Sequence, residues 1–128
     1  ANAALEALKT YDLVAVNVKA PDICGHDGLA NEKVRTVERI DAMMATLKSG
    51  LGPEVVLAAT ADHSTPVMLK DHSGDPVPVL IFGEGVRVDD VQKFDEISAA
   101  KGGLGRIRGL DLLPILLDLA GRSEKFGA

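Results

Sequence analysis

Two aspartate and histidine pairings and one further histidine hold the chemistry of this sequence. Asp22 and His26 stand four positions apart in "PDICGHDG", Asp62 and His63 are adjacent in "TADHSTP", and His72 follows in "LKDHSGDPVP". These are the chain's three histidines, and each has an acidic residue close by. A carboxylate offers a hard anionic oxygen and a neutral imidazole suits Zn, Mn, Co or Fe. A mixed Asp/His set therefore points to transition-series divalent ions rather than to calcium or thiolate-held zinc.

Plainer readings stand beside this one. An "Asp-His" dipeptide alone is a weak signal, and His26 could simply bond a backbone carbonyl. Asp27 reads as the cap of the helix that follows it, and Asp71 and Asp75 as loop carboxylates flanking His72. Ser64 follows His63 but lacks the G-x-S-x-G elbow of a serine hydrolase. "GGLGRIRG" does not fit the phosphate-loop pattern G-x-x-x-x-G-K-[ST], so it reads as a turn, with Arg106 and Arg108 solvated. Lys19 is the better candidate for an anionic substrate.

These residues need elements to bring them together. "YDLVAVNV" is short, Val-rich and almost wholly apolar, the pattern of a strand buried on both faces. "KAPDICGHDG" reads as a loop. From Leu29 to Ser49 the residues Val34, Val37, Ile40, Met44 and Leu47 recur at three- and four-residue steps, which predicts an amphipathic helix ended by a left-handed Gly50. "EVVLAAT" and "VPVLIFG" read as further strands, "VDDVQKFDEISAAKGG" as a short helix, and "LDLLPILLDLAG" as a helix packed on the sheet with Pro114 in its first turn. Strand, crossover helix and strand predict a parallel pair. The expected fold is α/β, a partial and mostly parallel sheet with helices on both faces. Its strand ends would gather Asp22, His26, Asp62, His63 and His72 on one rim.

Bulk properties exclude other classes. The 128 residues fit a single domain, 1–128. A net charge of -5, no Trp and four Phe and Tyr together argue against a nucleic-acid partner. No apolar run approaches the roughly 20 residues of a membrane span, and the single cysteine cannot form an internal disulfide. A soluble, cytoplasmic protein is expected. "ANAALEALKTYD" reads as a helix tail running into a strand, which suggests a fragment.

Taken together, "NVKAPDICGHDG", "ATADHSTPVMLKDHSGDPVPVLIFG" and "GGLGRIRGLDLLPILLDL" resemble the C-terminal part of the archaeal-type, 2,3-bisphosphoglycerate-independent phosphoglycerate mutases of the alkaline phosphatase superfamily. The resemblance covers Tyr11 to Leu119. It implies an alkaline-phosphatase-like sheet and two divalent ions (Mn, or Zn, Co or Mg), with no bisphosphoglycerate cofactor. Asp22, His26 and His72 would hold one ion. Asp62 and His63 would hold the second, with an aspartate and a nucleophilic serine that belong to the family's N-terminal portion. The nucleophile segment and the substrate insertion domain are absent from this chain, so no catalytic residue lies in it and the fragment is expected to be inactive alone. The implied reaction interconverts 2- and 3-phosphoglycerate through a phosphoserine. Alternatives are another phosphatase, phosphopentomutase or phosphodiesterase of the superfamily, or a non-catalytic α/β binding domain. A sulfatase is disfavoured because Cys24 lacks the C-x-P-x-R setting.

Overall fold

The computed structural model describes residues 1–124. In chain order these form α1 (Asn2–Ala7), α2 (Ala20–Asp27), α3 (Ala30–Gly50), β1 (Leu57–Ala59), β2 (Leu80–Phe82), α4 (Glu96–Ala99) and α5 (Gly109–Leu119). Two compact units result: Ala1–Leu51 with His63–Asp75, and Gly52–Asp62 with the residues from Pro76 onward. No helix among the described residues is long and apolar enough to cross a membrane.

The first unit is built on α3. Its apolar periodicity is that of a helix, and Leu47, 6% exposed, is the buried large hydrophobic residue among those described. Gly50 is the last helical residue and Leu51 leaves in extended conformation, so no left-handed glycine ends this helix. Gly50 does a different job: a Cβ there would lie 2.5 Å from Leu5 Cδ1, so the bare backbone lets α1 pack against α3. Asp27 does not cap α3 either, because Leu29 holds the cap position without a side-chain bond.

The segment expected as a loop is the helix α2. Pro21 sits in its first turn, where the missing N–H has no partner to lose, and Gly28 (φ 74°) closes it in the left-handed region. Helical pitch then puts Asp22 and His26, four apart, on the same face. The chain returns through residues 63–75, a loop drawn shut by an antiparallel bridge between Ser64 and Ser73.

The expected parallel sheet is overturned. The described residues are mainly helical, with one two-stranded antiparallel sheet in the second unit, where Leu57 faces Phe82, Ala58 faces Ile81 and Ala59 faces Leu80. Residues 13–19 belong to no ladder, and Leu13 and Val16 are 66% and 50% exposed. The right-handed crossover rule governs strands that share a sheet, and the first apolar run has no sheet partner among the described residues. High β-propensity records how a side chain fits a pleated surface, not whether that surface is present.

In the second unit, Asp95 caps α4 by accepting the Ser98 N–H at 2.7 Å. The Asp89 carboxylate ties the glycine turn by accepting from Gly103 N–H at 2.7 Å and Val91 N–H at 2.9 Å. At the start of α5 the Asp111 carboxylate accepts the Arg108 backbone N–H at 2.8 Å and the Arg108 guanidinium at 2.7 and 3.1 Å. Arg108 is thereby committed to a carboxylate. Pro114 lies in the second turn of α5 rather than the first, and the helix buries none of its residues.

Candidate metal centre

Four of the five ligands expected from the sequence lie in the first unit and converge. The helical face of α2 carries Asp22 and His26, and the returning loop brings His63 and His72 over it. Asp22 Oδ1 is 3.5 Å from His26 Nε2 and 3.6 Å from His72 Nε2. The two Nε2 atoms are 3.2 Å apart. Asp22, His63 and His72 also offer one ligand atom each, all within 4.8 Å of one another. Asp62 belongs to the second unit, after β1.

These separations test the fit of an ion. Ligands about 2.05 Å from a tetrahedral metal are about 3.3 Å apart, and the triangle of Asp22 Oδ1, His26 Nε2 and His72 Nε2 has sides of 3.2, 3.5 and 3.6 Å. The donor set, one carboxylate oxygen and two imidazole nitrogens, suits a transition-series ion. His63 stands differently. Its ring lies against that of His72 at 3.8 Å between centroids with a 34° tilt.

Neighbours fix the donors. His26 Nδ1–H donates to the Lys70 carbonyl at 3.2 Å, which leaves Nε2 as the lone pair facing the triangle. The backbone-carbonyl role and the ligand role expected as alternatives for His26 are thus compatible through its two nitrogens. Asp22 accepts Thr65 O–H on Oδ1 at 2.7 Å and pairs with Lys19 Nζ through Oδ2 at 2.7 Å. Lys19 and then Thr65 hold the Asp22 carboxyl far below the usual carboxylate range, against a smaller opposing effect of desolvation. Both neighbours favour the ionised form of Asp22. Lys19, read from the sequence as a phosphate contact, lies against this carboxylate.

Sequence reasoning missed Thr65, Gly25 and Lys70. Thr65 is 5% exposed and touches both Asp22 and His63. Gly25 is buried in α2, and a Cβ on it would overlap the Thr65 carbonyl oxygen. A glycine inside a helix costs about 1 kcal/mol relative to alanine, and that penalty was the available signal that something packs there. Asp71 accepts the backbone N–H of His72 at 2.8 Å, and Asp75 accepts Ser73 O–H at 2.6 Å, so both shape the loop.

Residues 1–119 match the Metalloenzyme superfamily. The whole chain is 52% identical to the 2,3-bisphosphoglycerate-independent phosphoglycerate mutase of Pyrococcus horikoshii and 55% identical to that of Methanopyrus kandleri, covering 31% of each. A solved structure of the PH0037 protein from Pyrococcus horikoshii superimposes with a TM-score of 0.95 at 52% identity, over 99% of this chain and 39% of that one. The chain therefore spans about a third of the length of the curated relatives it matches. By residues 1–119, and with a carboxylate and imidazoles gathered at ion-binding distance, it belongs to the Metalloenzyme superfamily.

Proposed function

We propose that the parent protein is a metal-dependent phosphoglycerate mutase interconverting 2- and 3-phosphoglycerate through a phosphoserine, and that this chain is the C-terminal segment of its metal-binding domain, inactive alone. The observation that carries this is the Asp22, His26 and His72 triangle in a chain at least half identical to two such mutases over their matched third. In this reading Asp22, His26 and His72 hold one divalent ion, and Asp62 and His63 contribute to a second. The expected ions are divalent, Mn or else Zn, Co or Mg, and the cytoplasm is the expected compartment.

Such ions, when bound, would screen phosphate charge and lower the pKa of an attacking hydroxyl. The chain's own residues prepare the place: Asp22 stays ionised, His26 presents Nε2, and the Lys19 ammonium lies beside Asp22, within reach of a role in holding an anionic substrate. Calorimetry with Mn²⁺ or Zn²⁺ on this chain should show an ion bound, and His72→Ala, which removes a ligand common to both groupings, should weaken it at least about 100-fold. No uptake by the folded wild-type chain would sink the metal reading. With the full-length protein, isomerisation of 3-phosphoglycerate supports the mutase. Release of inorganic phosphate without isomerisation would replace it with a phosphatase relative.

A further inference from the structure

We propose that Thr65 is a positioning residue: its hydroxyl joins Asp22 to His63 and sets the orientation of both donors before any ion arrives. A hydroxyl has one proton to give. Thr65 gives it to Asp22 Oδ1 at 2.7 Å, because an ionised carboxylate can only accept. The 3.2 Å contact between Thr65 Oγ1 and His63 Nδ1 must then run the other way, with Nδ1–H donating. His63 is thereby held as the Nδ1–H tautomer, its Nε2 left as the lone pair.

The rest of Thr65 is anchored independently of the site. Its carbonyl accepts from Lys33 Nζ of α3 at 2.7 Å, and its methyl lies over Gly25 of α2, 2.9 Å from where a Cβ would stand. The two branches of the side chain thus have separate tasks: the methyl seats the loop on the helix, and the hydroxyl sets the donors. Five residues later the same loop acts again. Lys70, the one non-glycine with positive φ (57°) among the described residues, turns its carbonyl onto His26 Nδ1. A single returning segment thus dictates the tautomer of two imidazoles.

The separate tasks make Thr65→Val and Thr65→Ser opposite probes, one keeping the branched shape and the other the hydroxyl. The first measurement uses the metal-free chain above pH 8, where ¹⁵N imidazole spectra report which nitrogen carries the proton. Wild type and Thr65→Ser should show His63 protonated on Nδ1, and Thr65→Val should move toward the Nε2–H form. A wild-type spectrum with the proton on Nε2 would overturn the proposal whatever the variants do. The second measurement is calorimetry with Zn²⁺ alone, beside melting curves. Thr65→Val should bind about 10- to 100-fold more weakly, and Thr65→Ser within about threefold of wild type. Equal affinities for wild type and Thr65→Val, or losses that track falling melting points in both variants, would reduce Thr65 to packing. The affinity comparison rests on the metal reading above, whereas the metal-free spectra do not. A chain that binds no ion would defeat that reading and leave the spectra to decide this one.

Discussion

Gly25 shows how closely a single atom is policed around this centre. The helix α2 approaches the Thr65 backbone so nearly that a Cβ on Gly25 would collide with the carbonyl oxygen and lie 2.9 Å from Thr65 Cγ2. Backbone cannot rotate away as a flexible side chain can. Gly25→Ala should therefore lose about 1–3 kcal/mol to overpacking, more than the roughly 1 kcal/mol that alanine gains as a helix former. Ion affinity should fall with it, because Thr65 must move off Asp22. Chemical denaturation and calorimetry check both outcomes, and a rise in stability would mean that propensity governs the site. The metal-type donors were legible in the sequence because carboxylate and imidazole announce their chemistry by type. Thr65, Gly25 and Lys70 were not, because their roles exist only across contacts of about forty residues' separation: Thr65 with Asp22, and Lys70 with His26.

Helices were legible where their pattern was long. The reading of Leu29 to Ser49 lies within a residue of α3 at each end, since a 21-residue helix repeats its apolar stripe many times. The eight residues of α2 offer two turns, with Pro, Cys and Gly among them, and so read as loop. The runs "EVVLAAT" and "VPVLIFG" do hold β1 and β2, but the first run forms no strand and the pairing is antiparallel: pairing is a property of two segments, and apolar runs do not name their partners. Short elements in the second unit are held by carboxylates. Asp95 caps α4, Asp89 ties the glycine turn and Asp111 accepts from Arg108 at the start of α5. Asp95 and Asp89 are pulled below the ordinary carboxylate value chiefly by backbone N–H donors, and Asp111 by Arg108. A lowered folded pKa means the unfolded chain takes up the proton first. Their stabilisation is therefore complete above about pH 4 and lost as the pH falls below it. Urea midpoints should drop on acidification through that range, and Asp95→Ala should lower the neutral midpoint while flattening the acid slope. An unchanged slope would remove Asp95 from this account.

Burial is where the chain departs furthest from an ordinary folded monomer. Its accessible surface is 9722 Å², whereas two independent folded units of half its mass would together expose about 7,800 Å² on the usual scaling with mass. The excess includes large apolar side chains at named places: Leu13, Val16 and Val18 before α2, Val34 and Val37 on α3, and Leu110, Leu113 and Leu117 on α5. Water contact with that much hydrocarbon costs roughly 25 cal/mol per Å², so the chain alone retains little hydrophobic driving force. The remaining two thirds of the proposed parent would cover these faces. The isolated chain should accordingly bind a hydrophobic dye strongly and unfold in urea with a slope shallower than its length predicts, because little apolar surface remains to be exposed. The full-length parent should bind the dye several-fold more weakly per molecule and unfold with a steep, cooperative transition. Equal dye binding by the two proteins would mean that these faces stay open in the whole enzyme. In that case the paired edge that residues 13–19 lack would not come from the parent, and the chain would have to be read as a domain that stands by itself.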